Sequence, residues 1–291
     1  MIIDAHTHLN NYHEAQQVSV QESLDRLLAS MEQNGVDCAM VLTSYKVTPH
    51  RPPTRDVVRA VEGLNNVFVV AGVSYLNYTE RDLREIAEFL KDGRVRGLKI
   101  YPGYEPFYPW DKRCQVVFDL CKEHDVPLMI HSGDTFVPGG RLKYSHPLEI
   151  DEVAVDHPEL KIVICHLGNP WMRDTMEVIY KNKNVYADIS GLVLGDFDHK
   201  FEQWLKRQLE EVLLYVGDPQ FLLFGTDWPL ASMESYVEFM SKLKLPRHAK
   251  ELILYRNAVD LFRLPVAAPP VEVEARPRQQ AGPGPGEEPT P

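Results

Sequence analysis

Residues 2–8 read IIDAHTH, a short apolar run that ends in two histidines separated by a single residue. Side chains two positions apart in a β-strand point to the same side, so His6 and His8 are predicted to project together while Thr7 points the other way. Two neutral imidazoles that converge from one strand end are suitable ligands for a divalent metal such as zinc. Taken alone, the pair is more typical of polar surface residues, so its meaning depends on the other strands.

Seven further runs of β-branched and apolar residues alternate with helical patterns along the chain. They are Cys38–Thr43, Val67–Tyr75, Gly97–Pro102, Pro127–Ser132, Lys161–Leu167, Val185–Ser190 and Phe221–Asp227. The first intervening helix is predicted to begin at a capping box of Ser19 and Glu22 and to stop at Gly35. Eight strands separated by helices favour an α/β fold, the (β/α)8 or TIM barrel, with parallel strands and right-handed crossovers. A doubly wound open sheet is the alternative, but no GxGxxG follows the first run.

The composition of the chain changes after Pro265. The last 26 residues contain seven of the 22 prolines and no aromatic residue. Such a segment buries too little apolar area to offset the entropy lost on ordering. We therefore predict a single folded domain over residues 1–265 and a disordered tail over residues 266–291.

The overall charge argues against nucleic acid and membrane partners. The 291 residues carry 42 acidic and 31 basic side chains, for a net charge of −11. This balance repels phosphate backbones and anionic lipids. No apolar run is long enough to cross a membrane, and the four cysteines show no CxxC spacing. A cytoplasmic location is predicted.

Four other predicted strands each place one ionisable residue near their carboxyl end. The stretches are GLKIYP with Lys99, MIHSG with His131, ICHLG with His166 and FGTDWP with Asp227. In a barrel these ends meet at one rim, where active sites of this architecture lie. Burying such groups without partners costs several kcal/mol each, and a shared metal would remove that cost.

In chain order, the motifs DAHTH, GLKIYP, IHSG, ICHLGNPW and GTDWP resemble the amidohydrolase superfamily. More narrowly, they are similar to its amidohydrolase-2 group of TIM-barrel metal-dependent hydrolases and decarboxylases. The resemblance extends to RNAVDLF at residues 256–262 and so covers about residues 2–264. It implies an enzyme and makes a non-catalytic metal-binding barrel improbable, but it does not identify the substrate.

Carried over position by position, the resemblance implies a set of metal ligands: His6, His8, His131 and Asp227. It makes His166 an acid, base or orienting group beside one metal, or a ligand when two metals bind. Lys99 stands where two-metal members carry a carboxylated lysine, or else it pairs with substrate or with a carboxylate. The expected cofactor is a divalent metal, zinc or alternatively manganese, in one or two copies.

The expected reaction is hydrolysis of a small amide, ester or lactone. A bound metal would lower the pKa of water from 15.7 toward about 7. Asp227 would then accept the proton, and His166, with Lys99, would stabilise an oxyanion. The alternative within the same group is decarboxylation of an aromatic or unsaturated acid.

Charged and aromatic residues in the predicted rim loops point to an anionic small-molecule substrate. Basic and acidic residues balance in these loops, which makes the rim electropositive relative to the rest of the chain. The predicted contacts are Arg141, Lys143, Arg173, Tyr101 and Tyr104. Salt bridges between loop charges, and aromatic residues that pack on one another, are the alternative explanations. The resemblance also implies a homodimer or a larger homo-oligomer.

Three further residues on the predicted strands have supporting roles. Asp188 and Ser190 alternate inward on the seventh strand, where either could hydrogen-bond a ligand histidine, although ordinary interior polarity explains them as well. Cys165 is predicted to point away from its neighbour His166 as a buried structural thiol.

Overall fold

Eight parallel strands form a nearly closed barrel in which each strand pairs with the next one along the chain. This computed structural model describes residues 1–12, 18–217 and 219–266. The strands are β1 (Ile3–Thr7), β2 (Cys38–Leu42), β3 (Val67–Gly72), β4 (Val95–Ile100), β5 (Leu128–Ile130), β6 (Ile162–Ile164), β7 (Val185–Asp188) and β8 (Leu222–Leu223). On the far side of β1, the Ala5 N–H donates to the Phe224 carbonyl at 2.9 Å. The prediction of a TIM barrel is confirmed, and the sequential strand order excludes a doubly wound sheet. Residues 267–291 of the predicted tail lie outside the described residues.

Helices connect the strands on the outside of the barrel. They are α1 (Val20–Asn34), α2 (Thr54–Ala60), α3 (Glu80–Lys91), α4 (Gln115–His124), α5 (Leu148–Asp156), α6 (Met172–Lys181), α7 (His199–Val216), α8 (Met233–Lys242), α9 (Arg247–Glu251) and α10 (Asn257–Phe262). At the start of α1, the Ser19 side chain accepts the Glu22 N–H at 3.1 Å, as predicted. The Glu22 carboxylate bonds to Arg26 rather than to the Ser19 backbone, so half of the predicted capping box forms.

Apolar side chains separate into an outer layer and a barrel interior. Outward-facing strand residues such as Val41, Val69 and Ile130 pack with the helices. Inward-facing residues fill the interior together with Phe262 from α10: Ile3, Met40, Val70, Met129, Val163 and Leu223. Full burial of each large apolar side chain stabilises the fold by about 1.5–3 kcal/mol. The polar residues at the carboxyl ends of the strands are thereby left to line the opposite end of the barrel.

A bulge in β1 sets the direction of the two histidines. Asp4 pairs with Ala39, and Thr7 pairs with Val41. The three-residue step along β1 is therefore matched by a two-residue step along β2. An extra residue of this kind bends the strand and re-aims the side chains that follow it. Ala5 therefore packs in the barrel interior, and the His6 side chain that follows it also contacts interior residues.

Candidate metal centre

His6, His8 and Asp227 bring three ligand atoms together at the carboxyl end of the barrel. Oδ1 of Asp227 lies 3.2 Å from Nε2 of His8 and 3.7 Å from Nε2 of His6. The ligand atoms all lie within 4.8 Å of one another, and the three residues are buried. Ligands about 2.1 Å from a tetrahedral zinc ion stand about 3.4 Å apart, so this spacing fits one ion.

Hydrogen bonds fix which nitrogen of each histidine faces this centre. Nδ1 of His6 donates to Oδ2 of Asp188 at 2.9 Å, and Nδ1 of His8 donates to the Leu42 carbonyl at 2.7 Å. A carbonyl or carboxylate oxygen only accepts, so we assign the proton of each neutral ring to Nδ1. Each Nε2 is then a lone pair directed at the ligand cluster, the arrangement that metal-bound histidines require.

The ligand cluster is thus a set of facing acceptors. Burial lowers the pKa of His6 to about 3, so this ring is neutral at neutral pH. Burial alone would raise the pKa of Asp227, but its proximity to the rings of His8 and His6 holds that pKa below the ordinary range. A carboxylate and two imidazole lone pairs at these distances repel one another unless a cation lies between them. A bound metal ion would be that cation.

His131 and His166 lie beside this cluster. The His166 ring centre is 4.9 Å from that of His6 and 5.1 Å from that of His131. Nδ1 of His166 donates to the Ser190 carbonyl at 3.1 Å, whereas His131 donates from Nε2 to the Asp134 carbonyl at 3.0 Å. Burial lowers the pKa of both rings, so each offers a lone pair at neutral pH, Nε2 of His166 and Nδ1 of His131. The structure places His131, a predicted ligand, next to the cluster of His6, His8 and Asp227 rather than within it.

Asp188 and Ser190 hold both His6 and His166. Asp188 accepts a hydrogen bond from the ring of His6, and its Oδ1 accepts a second one from the backbone N–H of His166 at 2.9 Å. The Ser190 hydroxyl lies 2.8 Å from Nδ1 of His6 and 2.9 Å from Nδ1 of His166. The carboxylate therefore orients the His6 ring and holds the His166 backbone, whereas the hydroxyl contacts both rings. Both residues lie in the positions that the alternation along the seventh strand predicted.

The orientation predicted for Cys165 is wrong. Its sulfur lies within 4.8 Å of ligand atoms of both His6 and Asp188, inside the barrel. The strand β6 already ends at Ile164, and His166 adopts a left-handed φ of 61°, so the chain turns where continued alternation was expected. Burial raises the pKa of the Cys165 thiol well above its ordinary value, which keeps the thiol protonated.

Above the cluster of His6, His8 and Asp227, the rim loops enclose an aromatic cavity. Predicted contacts Tyr101 and Tyr104 line it, with ring centres 6.5 Å apart. The ring centre of Tyr45 lies 5.0 Å from that of Tyr101. Tyr12 and Phe136 also line the cavity. The sequence indicated the aromatic loop after β4, but it gave no sign that tyrosines from other loops would meet it.

The basic residues predicted for substrate binding lie elsewhere. Arg141 and Lys143 are exposed and do not line the described cavity, and Arg173 forms an ion pair with Glu211 at 2.9 Å. The guanidinium that does line the cavity belongs to Arg51, in the loop after β2. It lies 5.7 Å from the ring centre of Tyr12 and has no carboxylate partner among the described residues. The sequence does not distinguish Arg51 from Arg141, Lys143 and Arg173, because all four are basic residues in predicted rim loops.

Gly191 lets the backbone approach the site closely. Its φ is +60°, and a Cβ at this position would lie 2.6 Å from Nδ1 of His166 and 3.0 Å from Oδ2 of Asp227. We expect Gly191→Ala to lower kcat/KM by about 100-fold, because displacements near 1 Å have effects of that size. Gly195→Ala is the control, since Gly195 has a φ of +71° but an open Cβ position. Equal losses in both variants would show that backbone strain, not displacement of His166 and Asp227, is responsible.

Comparisons with known proteins bear on this site. The model of a family described as Amidohydrolase matches residues 3–264. An uncharacterised TIM-barrel protein from Bordetella bronchiseptica is 20% identical with a TM-score of 0.71, covering 90% of this chain and 98% of that one. No curated protein matches.

Two further solved structures carry names that describe a reaction. A probable 2-pyrone-4,6-dicarboxylic acid hydrolase from Acinetobacter baumannii, with citric acid bound, is 13% identical with a TM-score of 0.64, covering 90% of this chain and 99% of that one. A 5-carboxyvanillate decarboxylase from Novosphingobium aromaticivorans, complexed with manganese, is 15% identical with a TM-score of 0.66, covering 91% and 96%. At these identities the similarity shows the fold. Among the helices of the described residues, none is long and apolar enough to cross a membrane.

Proposed function

We infer the reaction from one premise, namely that the chain belongs to the amidohydrolase family, whose model matches residues 3–264. The resemblance drawn from the motifs is thereby confirmed, and the chain is a metal-dependent enzyme of this family. Within the family, we propose that it hydrolyses a small carboxylated amide, ester or lactone. His6, His8 and Asp227 would hold the divalent ion, and zinc suits their nitrogen and oxygen donors, with manganese as the alternative.

Hydrolysis is supported by one observation: Asp227 and His166 both face the cavity as proton acceptors. Asp227 is ionised, and neutral His166 presents the lone pair of Nε2. The divalent ion, when bound, supplies Lewis-acid chemistry that polarises a carbonyl and makes water more acidic. Asp227 then accepts the proton of the attacking water and passes it to the leaving group, while the lone pair of His166 orients that water.

The proton position on His166 changes one role expected from the sequence. A neutral ring whose proton is held at Nδ1 by the Ser190 carbonyl has no donor at Nε2, so it does not stabilise an oxyanion. Lys99 also lines the cavity and has N–H donors for this task. We assign the stabilisation of the developing negative charge to Lys99.

Arg51 is proposed to bind the carboxylate of the substrate. We expect Arg51→Met to raise KM for a carboxylated substrate by about 10- to 100-fold with little change in kcat, because a charged hydrogen bond contributes about 1.5–3 kcal/mol. KM for a neutral analogue, such as the methyl ester of the same acid, should change little. Arg141→Met is the control, since Arg141 is exposed outside the cavity. A KM that is unchanged in Arg51→Met but raised in Arg141→Met would return the role to Arg141.

Decarboxylation of an aromatic acid is the second candidate. The tilted rings of Tyr45, Tyr101 and Tyr104 line the cavity and offer aromatic surface to a flat ring. The side chain of Lys99 would donate the proton that replaces carbon dioxide. One solved structure with this fold is named a 5-carboxyvanillate decarboxylase.

The two reactions differ in what they release. Lactones, amides and hydroxybenzoates should be assayed with zinc and with manganese, following the newly formed carboxylic acid by chromatography and carbon dioxide release in parallel. The proposal expects acid production from a carboxylated lactone, ester or amide, which the metal supports and a chelator abolishes. Carbon dioxide release without acid production would establish the second candidate instead.

A further inference from the structure

Lys99 donates a hydrogen bond to the nitrogen of His6 that faces the ligand cluster. Its side chain is 1% exposed, and Nζ lies 2.8 Å from Nε2 of His6. Since Nδ1 of His6 carries the proton that bonds to Asp188, Nε2 has the only lone pair of that ring. One lone pair accepts either an N–H donor or a metal ion, so Lys99 and the metal cannot both use His6.

The surroundings of Lys99 do not neutralise its charge by direct pairing. Among the described residues, no carboxylate oxygen lies within 4.0 Å of Nζ, although Asp227 and Asp188 are both bound to His6 or close to it. An ammonium and a divalent cation on the same imidazole would repel each other strongly at this depth. This repulsion is a second reason why Lys99 opposes metal binding, in addition to its hydrogen bond to the lone pair of His6.

We propose that Lys99 is a resident cation that competes with the metal for His6. Metal binding displaces Nζ from Nε2 of His6, and Nζ then turns toward the Tyr101 ring, whose centre is 5.0 Å away, and toward the cavity that Arg51 lines. The metal-bound protein thereby gains a second cation that faces an anionic substrate. The proposal rests on the metal site of the proposed function but not on the reaction.

The competing ammonium stands opposite to the carboxylated metal ligand that the family resemblance implies for Lys99. A carboxylated lysine would bind metals through its new carboxylate and would raise their affinity. A competing ammonium lowers the affinity of the site for a divalent ion. The two roles thus predict opposite effects of removing the amino group.

The test is the affinity of the substrate-free protein for manganese, followed by the electron paramagnetic resonance signal of the free ion. Lys99→Met keeps the side-chain volume but removes the amino group, and we expect it to bind manganese about tenfold more tightly than the wild type, or more. Lys143→Met is the control, because it removes an exposed lysine from a rim loop at the same end of the barrel. Equal or weaker binding by Lys99→Met overturns the proposal, and weaker binding combined with a carbon dioxide adduct in the wild-type mass establishes the carboxylated ligand. Absence of manganese binding by both proteins overturns the metal-dependent function as well.

A second measurement uses the wild type alone, in case Lys99→Met does not fold. Crystal structures with a chelator and with manganese should differ in the distance from Nζ of Lys99 to Nε2 of His6. We expect a hydrogen bond with the chelator and a separation beyond hydrogen-bond distance with manganese. An ion bound to His6 while Nζ stays where it is, or bound to a carboxylated Lys99, contradicts the competition.

Discussion

Asp227→Asn is expected to lower kcat by about three orders of magnitude, because the amide cannot accept the proton of the attacking water. The carboxylate lies 3.2 Å from His8 and is buried with it, and an asparagine keeps only one uncharged oxygen there, so the substitution also weakens the binding of the ion. The measurement is kcat of the variant at a metal concentration that saturates its site, with occupancy determined by elemental analysis.

The matched control is Asp196→Asn, the same chemical change on an exposed rim residue. It should retain wild-type kcat. If Asp227→Asn kept most of its turnover with the metal bound, Asp227 would not be the base, and the role would pass to the lone pair on Nε2 of His166.

Asp188→Asn is expected to lower metal affinity by about 10- to 100-fold, the usual effect of losing the partner of a ligand histidine. Asp188 is fully buried and accepts bonds from Nδ1 of His6, the His166 N–H, and both the N–H and the hydroxyl of Ser190. An asparagine has one accepting oxygen and one NH2 group, so its NH2 must face at least one of these N–H or O–H donors. If the NH2 faces His6, the ring proton moves to Nε2, where the ion should bind. Isothermal titration with zinc measures this loss.

Asp4→Asn is the control for burial. Asp4 is also fully buried, and burial raises its pKa to about 7. It accepts the N–H groups of His6 and Thr226 on Oδ1, and Oδ2 faces the Thr226 hydroxyl, which can accept a bond in turn. An asparagine therefore fits, and we expect near-normal zinc affinity. If Asp4→Asn and Asp188→Asn lost affinity equally, general disturbance of the buried site would explain both.

The strands and the cluster of His6, His8 and Asp227 could be predicted because their signals are local. Each strand is a short apolar run, and each site residue follows such a run, so barrel topology brings the ends together. The sequence predicts Asp188 and Ser190 for the same reason, since alternation along one strand fixes the side they face.

The remaining features depend on contacts between distant segments. The bulge in β1 arises from pairing with β2, and the left-handed turn at His166 ends an alternation that the apolar run suggested would continue. Arg51 and Arg141 are both basic residues in rim loops, but the course of each loop decides which one reaches the cavity. Loop paths depend on packing with neighbouring loops, which periodicity and composition do not encode.

The position of a bound ion tests the central claim most directly. Crystals soaked in manganese should be measured at the manganese absorption edge, where the anomalous signal locates the ion. We predict one peak about 2.2 Å from Nε2 of His6, Nε2 of His8 and the Asp227 carboxylate. A peak among His6, Cys165 and Asp188, the other cluster of ligand atoms within 4.8 Å, or no peak at full soaking, would contradict the account.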